Sequence, residues 1–304
     1  MLDTIRIKFP IDPTEEQLKG WIRKTTSSQT GTSDYYIYNP VINDAMLKFT
    51  FRPSDFKGNP ILSLEFSLPK LSFGHNYRMI TSIDEAIKLG NSCLEKIPHI
   101  PKLDLAEGIL IRFDMCYNHP VGDAVDDYIR AIGNLEIAHR RTKHHRHEGA
   151  EFRSKHKTTK FYNKERESGF AEAYGILRQE ITIMGSKNVQ KTLRVKKPTL
   201  SDLSSEKVVE FLNDDLEKLG LLGNSIATRN TALKSLCELY GTDAGMYFFS
   251  LLNLKMDKSK KQIAIDTGMH PRSLDRKLKK IREAGIPPSL TDTEEPLPPL
   301  TINL

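Results

Sequence analysis

The segment Lys160-Phe161-Tyr162-Asn163-Lys164 places a tyrosine between two lysines at alternate positions. In an extended strand, residues two apart share a face, so Lys160, Tyr162 and Lys164 are expected to point the same way. Two ammonium groups beside a phenol stabilise its phenolate and lower its pKa from about 10. That prepares the oxygen to attack an electrophile such as a phosphodiester. The alternative is a surface tyrosine between solvated lysines.

Three other strand-like segments each carry one carboxylate at the middle of the face opposite their more apolar set. Glu65 sits with Ser63 and Ser67, opposite Leu62, Leu64, Phe66 and Leu68. Asp114 sits with Arg112 and Cys116, opposite Ile111, Phe113 and Met115. Glu180 sits with Arg178 and Thr182, opposite Leu177, Gln179 and Ile181. In one sheet, Glu65, Asp114 and Glu180 could converge on Mg²⁺ or Mn²⁺, hard cations that take oxygen ligands. A metal polarising a phosphodiester beside a phenolate would complete a transesterification site. Taken singly, each carboxylate is equally an ordinary solvated side chain.

The cations are clustered. From His139 to Glu167 there are ten Lys or Arg against four Glu, with five histidines; from Lys255 to Arg282 there are ten against three Asp. The whole chain nets only +6, so the remainder is acidic. Two separated basic segments suggest two surfaces for a polyanion, most simply nucleic acid. In the first, Arg140, Arg141, Lys143, Arg153 and Lys160 are the candidate contacts to a DNA strand. His145-Arg146-His147 has spacing that would suit a shared metal, but its basic surroundings favour a DNA-facing loop. His75 reads as structural.

The second cluster has helix-turn-helix spacing. Ala264 allows close helix crossing, and Gly268 supplies the turn. The following helix turns Leu274, Leu278 and Ile281 inward and Ser273, Arg276 and Lys277 outward. Arg272, Arg276 and Lys277 are its expected contacts to duplex DNA, mostly through phosphates. An αα-hairpin that only completes a core is the alternative.

The elements that must hold these side chains follow from periodicity. Strands are expected over 4–9, 46–51, 62–68, 109–117, 158–164 and 175–183, with helices over 82–95 and 123–132. Ser82-x-x-Glu85 is a capping box, and the turn-rich stretch 52–60 joins two strands as a hairpin. Beyond Lys196-Lys197-Pro198 the pattern becomes helical over 201–219, 226–240, 242–254, 258–267 and 271–284. Gly220, Gly241, Gly268 and Gly285 are placed to end four of these helices. The fold class expected is α+β, a mostly antiparallel sheet with flanking helices followed by a helical DNA-binding region. The divisions are 1–197, 198–286 and an extended tail over 287–304. The 304 residues are 38% hydrophobic and 28% charged, an ordinary globular balance that argues against wholesale disorder. No apolar run reaches membrane-spanning length, no secretory signal is visible, and three cysteines are too few for a disulfide framework. A cytosolic protein is expected.

Several short stretches, in order, resemble the filamentous-phage replication initiators of the gene-two type and related rolling-circle initiators of phages and plasmids. They are 67–76 (SLPKLSFGHN), 111–114 (IRFD), 161–164 (FYNK), 175–180 (GILRQE) and 284–287 (AGIP). The resemblance implies a nickase that cuts one strand of supercoiled double-stranded DNA at a replication origin, acting in the host bacterial cytoplasm. Tyr162 falls where the family carries its nucleophile, leaving a 5′-phosphotyrosyl enzyme and a free 3′-hydroxyl for the host polymerase. Lys164 favours the phenolate or steadies the departing charge. Asp114 and Glu180 look like the family's strand carboxylates, with Glu65 beside them, and Mg²⁺ or Mn²⁺ is the implied cofactor. Double- and single-stranded DNA are the implied partners, and a host helicase is left open. The pattern departs at Gln179, where an aromatic residue is expected, and in the His-rich run. A DNA-binding repressor or copy-number regulator without chemistry is the competing reading.

Overall fold

The computed structural model describes residues 1–28, 31–55, 58–135, 137, 139–145, 148–286 and 289–302. In chain order the first elements are β1 (Leu2–Phe9), β2 (Ile22–Ser28), β3 (Gly31–Tyr38), β4 (Val41–Ile42), β5 (Ala45–Met46), β6 (Lys48–Arg52), β7 (Ile61–Ser67), α1 (Leu68–Phe73), α2 (Ile83–Leu94) and β8 (Ile109–Pro120). Next come α3 (Val125–Gly133), β9 (Arg141–His144), β10 (Gly149–Arg153), β11 (Lys157–Asn163), α4 (Lys164–Ser168), β12 (Ile176–Met184) and α5 (Ser186–Leu193). Five helices close the series: α6 (Ser205–Leu219), α7 (Arg229–Tyr240), α8 (Thr242–Asp257), α9 (Lys260–Thr267) and α10 (Pro271–Glu283). Among the described residues ten strands form one antiparallel sheet in the order β2-β3-β6-β7-β1-β8-β12-β11-β10-β9, while β4 and β5 pair separately. The protein is therefore α+β, with flanking and C-terminal helices. Among the described residues no helix is long and apolar enough to cross a membrane.

The chain divides into two compact units built from interleaved segments. Met1–Tyr117 and Glu180–Val209 form one; Asn118–Gln179 and residues 210–302 form the other. The composition change at residue 197 follows the chain, whereas these units follow its packing.

In the first unit, alternation does what the sequence expects. Ile5, Ile7, Phe49, Phe51, Leu62, Leu64 and Phe66 are buried on one face of β1, β6 and β7, and α1 packs against β1 and β7. Residue 68 leaves the strand: the Ser67 hydroxyl accepts from the Lys70 amide, and Pro69 suits the first turn of α1. α2 starts as expected, with the Ser82 hydroxyl accepting from the Glu85 amide at 3.2 Å. The hairpin of β2 and β3 carries no expectation from the sequence, because Arg23-Lys24-Thr25-Thr26-Ser27 offers no apolar alternation.

In the second unit α3 packs against β10 and β11. Helices α7 to α10 share a core of Ala232, Leu236, Phe248, Leu251, Leu252, Ile263, Leu274, Leu278 and Ile281. Gly268 caps α9 at φ 65°, a left-handed conformation that favours glycine, and the His270 ring accepts from the Arg272 amide to start α10. The tail is extended and also packed. Leu297 bridges Ile226; Leu290, Leu297 and Leu300 are buried; and the Tyr128 hydroxyl donates to the Pro298 carbonyl.

Candidate functional site

Register assembles a basic face at one edge of the sheet. Across β9, β10 and β11, Lys143 pairs with Glu151 and Glu151 with Lys160; Arg141 pairs with Arg153; and Gly149 pairs with Tyr162. Directly opposed residues share a face, so Arg141, Lys143, Arg153, Lys160 and Tyr162 lie together around a single carboxylate. Glu151 takes up one of those cations, Arg153, at 3.0 Å. The reverse face is Ala150, Phe152 and Phe161, all buried. Gly149 has a definite reason to be glycine. A Cβ there would meet the Phe161 carbonyl oxygen at 2.5 Å and the Tyr162 Cβ at 3.0 Å, so the tyrosine side chain lies directly against bare backbone.

Lys164 reaches this tyrosine by a route other than strand alternation. The Asn163 side chain accepts from the Arg166 amide at 3.1 Å and caps α4, so Lys164 is the first residue of a helix. Its side chain is wholly buried and pairs with Glu167, and its ammonium lies 5.7 Å from the centre of the Tyr162 ring. Lys164 therefore leaves the strand alternation expected of it, yet its ammonium still stands beside the Tyr162 ring. Tyr174 is bound differently: its hydroxyl donates to the Asp123 carboxylate, which raises its pKa and keeps the proton on oxygen.

Arg140, expected at the DNA, faces inward instead. It donates to Asp215 at 2.8 Å, and Lys157 and Thr159 donate to the same carboxylate. Asp215 is completely buried, and burial lowers the Lys157 pKa despite this pairing. Sequence reasoning missed Asp215, although a signal exists. It lies on α6 in the stripe of Val208, Leu212, Leu216 and Leu219, where a carboxylate is out of place unless paired. Gln179 is likewise buried. Its side chain bonds His119 at 3.2 Å and the Leu212 carbonyl at 3.2 Å, contacts an aromatic ring could not replace. Burial pushes the His119 pKa down to about 4, so the ring is neutral at pH 7.

The three carboxylates belong to the first unit, where they gather around a guanidinium. In register, Lys48 pairs with Glu65, Glu65 with Arg6, and Arg6 with Arg112. Arg112 donates to both Asp114 oxygens, at 3.1 and 2.6 Å, and its other amine lies 3.5 Å from Glu65. Arg6 also binds Glu65. Glu180 is close enough to act electrostatically on Arg112 and on Asp114. Burial raises the Asp114 pKa to about 6, against the opposing pull of Arg112. As arranged, the Glu65 and Asp114 oxygens are taken up by arginines. Among the described residues no group of three or more His, Cys, Asp or Glu is disposed to hold a metal ion. The donor set does not fit a metal centre in this arrangement.

The C-terminal helix pair has the expected spacing. Arg272 and Arg276 are exposed on α10, Lys277 is half-buried with its ammonium 4.3 Å from the Tyr247 ring centre, and Lys260 of α9 pairs with Asp275 at 3.0 Å. His75 stacks on Tyr77 with ring centres 3.7 Å apart, a structural contact. His145 is exposed and donates its amide to Gly149, while Arg146 and His147 lie outside the described residues. Comparison of the chain with family models, curated proteins and solved structures finds no match.

Proposed function

We propose that this chain is a rolling-circle replication initiator that nicks and rejoins one strand of phage or plasmid DNA through Tyr162. The observation that carries the reading is the register of β9, β10 and β11, which puts Tyr162 among Arg141, Lys143, Arg153 and Lys160. In the proposed step the Tyr162 oxygen attacks the scissile phosphorus and loses its proton to solvent. The Tyr–O–P bond forms as the P–O3′ bond breaks, and the departing 3′-oxygen takes up a proton. The products are a 5′-phosphotyrosyl enzyme and a free 3′-hydroxyl; reversal, or a second transfer, rejoins the strand. Lys160 and Lys164 favour the phenolate electrostatically. Arg141, Lys143 and Arg153 grip the strand, while Arg272, Arg276 and Lys277 hold duplex DNA by its phosphates.

Mg²⁺ or Mn²⁺ is the cofactor that this reading implies. Arg112 and Arg6 take up the oxygens of Asp114 and Glu65, so the nicking step as proposed runs on Tyr162 and the cations beside it. The reading assigns the host bacterial cytoplasm as the compartment. The helix pair α9–α10 by itself supports the second reading, a repressor or copy-number regulator that binds DNA without cutting it.

The test is incubation with supercoiled DNA carrying the replicon's origin, with and without Mg²⁺ or Mn²⁺. Wild type is expected to give nicked or relaxed circles with protein covalently attached, and Tyr162→Phe to bind the DNA and give neither. Nicking that survives Tyr162→Phe moves the role to another residue, Tyr174 first. Binding without any nicking by wild type leaves the repressor.

A further inference from the structure

We propose that the β2–β3 ribbon is a further duplex-DNA contact, entering the major groove with its hydroxyl-rich end while cations at its base meet the flanking phosphates. This rests on the DNA reading above but uses a surface that reading leaves idle. β2 and β3 pair over seven positions, from Ile22 opposite Ile37 to Ser28 opposite Gly31. The next strand, β6, pairs with β3 only at Tyr36, Ile37 and Tyr38. Beyond that point the ribbon runs on as two strands alone. Arg23, Lys24, Thr25, Thr26, Ser27, Thr32 and Ser33 are exposed, on both faces. At roughly 3.4 Å per residue the five pairs from Lys24–Tyr35 outward project about 14 Å. B-DNA's major groove is roughly 12 Å wide and 8.5 Å deep and admits a two-stranded ribbon.

The chemistry of the projecting part suits base edges. Its exposed residues Thr25, Thr26, Ser27, Thr32 and Ser33 carry hydroxyls in place of apolar side chains, and hydroxyls both donate and accept. Thr26 and Ser33 face each other across the strands with their oxygens 3.0 Å apart. Its one acid, Asp34, is held by Arg23 at 3.1 Å and by the Thr25 hydroxyl at 2.7 Å, so little free negative charge opposes a polyanion. Both partners hold that carboxylate's pKa below its ordinary value.

The base of the ribbon supplies the positive charge. Lys24 lies opposite Tyr35, and the Arg52 guanidinium stands 5.9 Å from the centre of the same ring. Lys24 and Arg52 are both exposed. The stem is fixed by aromatic packing: Trp21 stacks on Tyr38 at 5.4 Å, and Tyr36 lies 6.0 Å from Phe51. A cationic ribbon rooted in aromatic packing and carrying exposed hydroxyls at Thr25, Thr26, Ser27, Thr32 and Ser33 fits duplex DNA better than a single strand, which would call for exposed rings along its length.

The test measures binding of the full-length protein to a mixed-sequence duplex of about three helical turns, and to the matching single strand, across a salt series. Lys24→Gln with Arg52→Gln is expected to weaken duplex binding about tenfold. It should also lower the slope of log affinity against log salt by about 1.8, at 0.9 per lost phosphate contact. Thr26→Glu with Ser33→Glu places two negative charges at the end and is expected to remove a patch of guanine N7 protection from methylation that wild type gives. All four positions are exposed, so thermal unfolding should match wild type. Unchanged slope and protection in both variants, with wild-type binding and nicking intact, overturn the ribbon proposal alone. A loss confined to the single strand overturns the duplex assignment. Absence of salt-dependent binding by wild type overturns the DNA reading and this proposal together.

Discussion

The two units present polar strand faces built by the same alternation rule, and the faces have opposite electrostatic outcomes. In the first, Glu65 meets Arg6 and Arg112 across neighbouring strands, Arg112 also binds Asp114 two residues along its own strand, and the charges cancel in a network in which Asp114 is buried. In the second, the register of β9, β10 and β11 sets Arg141, Lys143, Arg153 and Lys160 around Glu151, so cations outnumber acids on the strand face that carries Tyr162. A carboxylate's role is set by the cations that the sheet places beside it, on its own strand or the next. Where cations outnumber acids, charge remains for an external polyanion; where they match, it is spent on internal pairing. Arg140 and Arg141 show the contrast within two residues. Arg140 is locked to buried Asp215, while Arg141 lies on the basic face.

The strongest challenge to this contrast is Asp215→Ala, which strips the buried partner from Arg140 and Lys157. A buried pair broken on one side costs about 3–5 kcal/mol, so the urea midpoint should fall steeply; a shift within error would mean that these cations reach water unaided. Next is the pH dependence from Asp114. Its folded pKa of about 6 lies above the ordinary 3.8, so between those values the folded state keeps a proton that the unfolded chain has released. This group therefore withdraws stability as pH rises from about 4 to about 6, and the loss is complete above that. Urea midpoints across that range should decline in wild type, and Asp114→Asn should flatten that part of the profile. The smallest effect on the fold belongs to the basic face. Lys143→Gln with Lys160→Gln should leave the thermal midpoint unchanged and lower the salt slope for single-stranded DNA by about 1.4, at roughly 0.7 per contact. An unchanged slope would make the second face as self-contained as the first.

Much of the fold was legible in the chain. The apolar alternation of 62–68 and 109–117 locates β7 and β8, because burying one face of a sheet demands that period. The Gly268 turn and the stripe Leu274, Leu278, Ile281 locate α9 and α10 for the corresponding helical reason. What escaped carried little apolar signal. β2 is a strand of polar residues held by cross-strand bonds, and β9 is a short basic strand at the sheet's edge. Of the candidate site, Tyr162 and its neighbouring lysines were visible as a spacing. Lys164's helical position was not, since it depends on Asn163 capping a turn.

By itself, the sequence determined which residues alternate, which are charged, and where the basic segments fall, because those are properties of neighbours along the chain. Only the tertiary structure decided that Arg112 reaches Glu65, that Asp215 consumes Arg140, and that Gly149 leaves room beside Tyr162. Each of these joins residues distant in sequence, and the energy of a charge or a ring is fixed by what lies within a few ångströms of it in space.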